Sequence, residues 1–253
     1  MKRLSPALQN YFNATVYFPV SERVLAEKVA DIFNVRTWRD LWKVKIPIQY
    51  EKEPEGGVLP RQVLQDLGTS LYFQRGDCED IARGQIAVAR TKNIPAYFLM
   101  VFTDTTYKNG HVMVLGLTEK GNLFVLNYTK YYIETSYALT TKDIENNTTA
   151  FRNALSRIAY YLEQEQANWM VYWVVKLEYD SSGYLKALGY IEPTVIPSGG
   201  DVETLYFEDK PEDFQDELNA LGYELKNVPQ DKSMWWMIIP ALGIPVILLL
   251  LRR

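Results

Sequence analysis

The chain has 253 residues, of which 47% are hydrophobic and 23% are charged, and its net charge is −4. This composition is typical of a globular protein and excludes a largely disordered or collagen-like chain. A single cysteine excludes an intramolecular disulfide, and one cysteine with one histidine excludes a zinc site built from several such ligands. Composition leaves carboxylate sites for magnesium or calcium open, but no motif predicts a cofactor or a metal.

The charge is unevenly distributed along the chain. Residues 201–231 contain ten acidic residues against two basic ones, whereas 232–253 contain three basic residues and no acidic one. Residues 1–200 are therefore close to neutral and lack the basic surface that nucleic acid binding requires. We expect no nucleic acid partner.

The C-terminal end has the pattern of a membrane-spanning segment. Residues 234–251 are uncharged throughout, and a helix of that length extends roughly 27 Å, close to the thickness of a bilayer's hydrocarbon core. Trp235 and Trp236 lie at one end, where indole rings favour the headgroup level. We predict a single-pass C-terminal transmembrane helix in contact with the lipid bilayer, with a buried core helix as the alternative.

We expect no signal peptide at the N-terminus, because Pro6 and Gln9 interrupt any apolar stretch there. Without a signal, the bulk of the protein is expected on the cytoplasmic side or at a virion membrane. The basic pair at 252–253 favours the opposite topology. The sequence predicts a domain over 1–192, an acidic linker with a short helix over 193–231, and the transmembrane helix over 234–251.

Residues 1–200 alternate between helical and strand patterns. Helices are predicted over 22–33, 60–67, 78–92 and 149–164, and strands over 45–50, 96–102, 111–117, 122–128, 169–179 and 184–191. Gly68 is expected to end the second helix. The turn at 118–121 predicts a hairpin. This order favours an α+β domain in which N-terminal helices pack on an antiparallel sheet.

The only cysteine and the only histidine lie where they are able to react. Cys78 begins a predicted helix, and a helix N-terminus favours the thiolate. His111 starts one strand of the hairpin and Asn127 ends the other, so antiparallel pairing brings them close enough for Asn127 to accept a hydrogen bond from the imidazole. The three residues are a candidate catalytic triad. The alternative is a small core cysteine with an unrelated polar histidine.

Five short segments occur in a family-like order: LPRQ at 59–62, GDCEDIA at 76–82, NIPA at 93–96, GHV at 110–112 and FVLN at 124–127. Over residues 20–130 this set resembles the transglutaminase-like superfamily, a branch of the papain-like cysteine enzymes. The resemblance implies a papain-like fold and catalysis by Cys78, His111 and Asn127. Asn127 departs from the family's usual Asp, and Val112–Met113 depart from the common Ala-Trp pair.

A second element of such a site is an oxyanion hole. The backbone N–H of Cys78 is the expected first donor, and Gln74, Trp42 and Tyr72 are candidates for the second. Glu79, next to the thiol, is expected to be a helix-terminal charge rather than a catalytic group.

The resemblance implies a cysteine enzyme of microbial or viral origin that acts on peptide or protein amides, and the C-terminal apolar segment predicts that it is anchored in a membrane. A thioester on Cys78 is then resolved by water, as in a peptidase or amidase, or by an amine, as in an acyl transferase. The alternative is a non-catalytic, membrane-attached structural or docking protein that keeps the fold, with protein assembly partners in an envelope or lipid-containing virus particle.

Overall fold

The fold is organised around an antiparallel sheet with helices on both faces. The computed structural model describes residues 1–4, 9, 12, 20–46, 49–51, 64–103, 105, 110–128, 131–164, 169–196 and 205–206. Within these ranges the protein combines helices with an antiparallel sheet, which confirms the predicted α+β class. The predicted transmembrane segment 234–251 lies outside the described ranges, and none of the helices inside them is long and apolar enough to cross a bilayer.

The strands in the described ranges form two sheets. In chain order they are β1 (Gln49–Tyr50), β2 (Arg75–Gly76), β3 (Ala96–Phe102), β4 (Gly110–Leu117), β5 (Leu123–Asn127), β6 (Tyr131–Glu134), β7 (Val171–Tyr179), β8 (Leu185–Val195) and β9 (Leu205–Tyr206). The larger sheet has the order β8-β7-β3-β4-β5-β6-β9, and each neighbouring pair is antiparallel. β1 and β2 form a short parallel pair that leads the chain to Cys78.

Helices cover the larger sheet on both sides. They are α1 (Glu22–Ile32), α2 (Leu67–Phe73), α3 (Cys78–Thr91), α4 (Thr141–Glu145) and α5 (Thr149–Gln164), with a 3-10 helix at Trp38–Lys43. α3 contacts β3 and β4 on one face, whereas α5 contacts β5 and β6 on the other. The helix predicted over 78–92 is therefore confirmed, and it begins at the cysteine.

The sheet is buried on both faces, and its side chains alternate between two apolar clusters. Along β4, Val112 and Val114 belong to the cluster that includes residues of α3, whereas Met113 and Leu115 belong to the cluster that includes residues of α5. Burial on both sides explains why the strand at 96–102 is apolar without interruption. The predicted hairpin of 111–117 and 122–128 is confirmed as β4 and β5.

The helix predicted over 60–67 and ended by Gly68 is wrong where the structure describes it: residues 64–66 are not helical, and Gly68 lies inside a helix that begins at Leu67. α2 begins at Leu67, and its N-cap Asp66 accepts a hydrogen bond from the Thr69 N–H at 2.6 Å. Gly68 allows a close approach to α1, because a Cβ at this position would lie 3.1 Å from the Leu25 Cδ1 atom. The start of the predicted helix at Pro60 lies outside the described residues. Of the strand predicted over 45–50, residues 47–48 also lie outside them, and among the rest Gln49–Tyr50 form β1.

A buried ionic group fixes the Cys78 helix to its surroundings. The Arg83 guanidinium donates to both carboxylate oxygens of Glu22, at 2.9 and 2.8 Å, and to the Leu185 carbonyl at 2.9 Å. Glu22 also accepts hydrogen bonds from the Leu67 and Leu185 N–H groups. Arg83 and Glu22 are 1% and 0% exposed, so α1, α2, α3 and β8 meet at one desolvated charge pair.

Candidate active site

Cys78 lies in the first turn of α3, directly after β2. Asp77 caps the helix by accepting a hydrogen bond from the Glu79 N–H at 3.1 Å, and its own N–H donates to the Asp80 carboxylate at 3.2 Å. This reciprocal capping box satisfies two backbone donors and fixes where the helix begins. The thiol is therefore held at a defined helix end and is half-buried.

The sulfur of Cys78 lies beside the strand that carries His111. The backbone N–H of Val112, the residue after His111, lies near enough to this sulfur to lower the pKa of the thiol. The paired register of β4 and β5 covers 114–117 and 123–126, so His111 and Asn127 lie just beyond it. The candidate site is thus at the end of the sheet, where these two strands cease to pair.

The structure brings His111 and Asn127 together. The His111 Nε2 atom lies 2.7 Å from the Asn127 Oδ1 atom. An amide oxygen only accepts hydrogen bonds, so in the neutral ring this contact places the proton on Nε2 and the basic lone pair on Nδ1. The indole of Trp169 lies nearly parallel to the imidazole, with the ring centroids 6.2 Å apart, and adds an apolar wall beside this hydrogen bond.

The thiol is not activated by its position alone. Burial raises the pKa of Cys78 to about 12, and the carboxylates of Asp77 and Glu79 raise it as well, whereas the backbone N–H groups of Val112 and Cys78 lower it. This direction is opposite to the one expected from the helix N-terminus. The capping carboxylates and the loss of water outweigh the helix dipole, whose contribution at an exposed helix end does not exceed ~1 kcal/mol.

The raised thiol pKa predicts slow alkylation near neutral pH. Cys78 should react with iodoacetamide more slowly than an unperturbed peptide thiol at pH 7, and its rate should still be increasing at pH 10, because the thiolate is the nucleophile. Intact-mass measurement of the labelled fraction checks this without ambiguity, since the chain has one cysteine, and Cys78→Ala is the unlabelled control. Alkylation at pH 6 that is faster than that of an unperturbed peptide thiol would show a preformed thiolate instead.

Two tyrosines that sequence reasoning missed lie close to the site. Tyr50 is about half exposed, and its hydroxyl has a pKa of about 12, raised by burial and then by the nearby Cys78 and Asp77. The centroid of its ring lies 6.1 Å from that of Tyr128, the residue after Asn127. Register also places Tyr50 opposite Gly76, two residues before Cys78. The adjacency of Tyr128 to Asn127 was visible in the sequence, whereas the β1–β2 pairing was not.

No family model, curated protein or solved structure matches the chain. What the site can do chemically is therefore inferred from its own residues and geometry. Among the described residues, no three His, Cys, Asp or Glu side chains are grouped so that they could hold a metal ion.

The oxyanion candidates occupy different surroundings. The backbone N–H of Cys78 is near enough to its own sulfur to lower the pKa of the thiol, and a first oxyanion donor has to lie beside the nucleophile in this way and point at the substrate oxygen. Trp42 is 2% exposed, and its Nε1 has no hydrogen-bond partner in the part of the chain that the structure describes. Gln74 ends α2 in the left-handed region with φ of 56°. Tyr72 is half-buried, with its ring edge against Phe73.

Proposed function

We propose that the protein is a cysteine enzyme of the papain-like, transglutaminase-like type that transfers an acyl group from an amide to Cys78. The observation that carries this proposal is the 2.7 Å contact between His111 Nε2 and Asn127 Oδ1. It orients the basic Nδ1 atom of the ring, on a strand whose next backbone N–H lies near enough to the Cys78 thiol to lower its pKa. The proposed fold assignment rests on the five motifs and on this arrangement.

The high thiol pKa makes His111 a general base rather than one half of a preformed ion pair. As the sulfur attacks the amide carbonyl carbon, the thiol proton passes to His111 Nδ1 and the carbonyl electrons move onto oxygen. When the carbon–nitrogen bond breaks, the same proton passes to the departing amine. Water or an amine then attacks the thioester and loses a proton to His111, and this proton returns to the Cys78 sulfur as the carbon–sulfur bond breaks.

Asn127 orients the ring in this scheme without adding charge. Its carbonyl oxygen holds the Nε2 proton throughout the cycle, and when the ring is protonated both nitrogens donate. An aspartate here would add a full negative charge to stabilise the imidazolium. We therefore propose that proton transfer to His111 is driven mainly by the attack itself, as for a poorly acidic nucleophile.

A second candidate is a non-catalytic docking protein that keeps this fold. The half-buried thiol with its pKa of about 12 favours it, because such a sulfur is almost wholly protonated at neutral pH. The two candidates differ in one respect that can be measured, which is whether an acyl group moves onto Cys78.

Acyl capture distinguishes the two candidates. The protein is incubated at pH 7.5 with p-nitrophenyl acetate, and intact-mass measurement follows the acetyl adduct. The enzyme proposal predicts one adduct, absent in Cys78→Ala, that forms much more slowly in His111→Gln. Equal rates in the wild type and His111→Gln would instead support the docking protein.

We further propose that residues 234–251 anchor the protein in a bilayer, which would restrict it to peptide or protein substrates near the membrane surface. Full-length protein should sediment with membranes and resist extraction at pH 11, because an uncharged helix of this length is held by burial in lipid. A form ending at residue 231 should appear in the supernatant. Full-length protein that is extracted like the shortened form would contradict the anchor.

A further inference from the structure

A buried amide connects the Cys78 helix to the strand end that carries Asn127. Gln85 is 1% exposed and lies seven residues after Cys78, two helical turns along the same face of α3. Its Nε2 atom lies 3.2 Å from the Leu41 carbonyl oxygen, 3.3 Å from that of Val44 and 3.3 Å from that of Tyr128. Two chain segments, residues 41–44 and the end of β5, therefore meet the Cys78 helix at one side-chain nitrogen.

The chemistry of the contacts fixes the orientation of this amide. Three carbonyl oxygens face it, and they can only accept hydrogen bonds, so the NH₂ group must point toward them. The amide oxygen of Gln85 has no hydrogen-bond partner within the described ranges. The side chain is thus held through its nitrogen alone, and leaving a buried oxygen unpaired has a cost that the three contacts must offset.

The most informative of the three acceptors is Tyr128. This residue directly follows Asn127 and adopts a φ of 56°, in the left-handed region that a bulky side chain rarely occupies. Such a conformation persists only where the surroundings hold it. The hydrogen bond from Gln85 to the Tyr128 carbonyl is one such constraint, and it acts on the residue next to the imidazole acceptor.

We propose that Gln85 is a positioning residue that sets where Asn127, and through it the His111 ring, lies relative to the thiol. One helix, α3, carries both Cys78 at its first residue and the Gln85 amide that donates to the Tyr128 carbonyl, directly after β5. The distance from the sulfur to the Asn127 strand end is therefore fixed through α3. The catalytic meaning of this role rests on the proposed function, but the geometric claim does not.

Gln85→Met tests the role because it keeps the length and the apolar stem and removes both N–H donors. The matched control is Ile86→Val, which trims a fully buried side chain of the same helix without touching these carbonyls. Should Gln85→Met fail to fold, Gln85→Asn keeps the amide but shortens its reach, and it should give the same result in weaker form.

The first readout is the imidazole itself, which needs no activity. His111 is the only histidine, so its ring nitrogens give one set of NMR signals. We expect a predominantly Nε2-protonated ring with a slowly exchanging Nε2 proton in the wild type and in Ile86→Val. In Gln85→Met the ring should populate both tautomers, and its Nε2 proton should exchange with solvent at least ~10-fold faster. A ~10-fold change corresponds to a hydrogen bond weakened by ~1.4 kcal/mol.

The second readout is acyl transfer to Cys78, whose first-order rate at saturating p-nitrophenyl acetate should fall ~10-fold or more in Gln85→Met and little in Ile86→Val. Ring signals in the Gln85 variants that match those of the wild type would overturn the proposal. An altered ring in a protein that forms no acyl adduct at all would keep the positioning role and reject the proposed function.

Discussion

Replacing Arg83 with methionine should lower the free energy of unfolding by about 3–5 kcal/mol. The guanidinium makes a two-oxygen contact with Glu22 and also bonds the Leu185 carbonyl, and neither charged side chain is more than 1% exposed. Without Arg83, the Glu22 carboxylate is left buried and uncompensated. Urea denaturation of the wild type and of Arg83→Met measures the difference.

The size of this effect should depend on pH. Asp66 is also buried nearby, and its pKa is raised to about 6, first by burial and then by the Glu22 carboxylate. A carboxyl with a raised folded pKa is destabilising when ionised, so its cost is absent at low pH and appears as the pH increases through about 6. The Arg83 guanidinium lowers the pKa of Asp66, so its removal leaves ionised Asp66 less stabilised than in the wild type, and the loss in Arg83→Met should be larger at pH 8 than at pH 4.

The matched control removes both charges. The double variant Glu22→Gln with Arg83→Met should recover part of the loss, because it removes the uncompensated charge and keeps a side-chain oxygen for the Leu67 and Leu185 N–H groups that Glu22 bonds. If the double variant is as unstable as the sum of its two single variants, the charge pair is not the cause, and packing of the Arg83 stem has to account for the effect.

His111→Gln should slow acylation of Cys78 by ~10²–10⁴-fold, the range typical of a lost general base. Burial holds the thiol protonated, so without the imidazole only the small thiolate fraction can react. Asn127→Ala should slow the reaction less than His111→Gln, because it removes the acceptor that orients the ring but leaves the base. Rates of acetyl-adduct formation with p-nitrophenyl acetate at pH 7.5 measure both effects.

Asn127→Asp is the informative companion variant. It keeps an oxygen acceptor for Nε2 and adds a charge that stabilises the protonated ring. We expect acylation to be at least as fast as in the wild type. A loss as large as that of Asn127→Ala would show that the amide NH₂ of Asn127, and not its oxygen, makes the functional contact.

The elements that frame the site were predictable because their patterns are local. The apolar run of 96–102, the hairpin turn at 118–121 and the helix that starts at the cysteine each follow from residues within a few positions. The role of Gly68 depends on a contact that is distant in sequence, and so its pattern was misinterpreted as a helix end. Leu25, over forty residues earlier, lies so close that a Cβ at position 68 would be 3.1 Å from its Cδ1 atom, and the glycine therefore allows close packing inside α2.

The site itself was only partly predictable. Spacing along the hairpin indicated the contact between His111 and Asn127, since it depends on antiparallel pairing alone. The ionisation of Cys78 depends on its burial and on which way two carboxylates point, and a sequence shows neither. Nothing in the sequence indicated the role of Gln85, because the three carbonyls around its amide belong to residues that are 41, 43 and 44 positions away.

The most direct test of whether His111 is the general base for Cys78 is the pH dependence of Cys78 acylation in the wild type and in His111→Gln. A general base predicts a wild-type rate that increases and levels off between about pH 5 and 8, where an imidazole loses its proton, far below the thiol pKa of about 12. His111→Gln should instead show a rate that increases steadily to alkaline pH. Two profiles that coincide would contradict the role of His111 and, with it, the proposed enzyme.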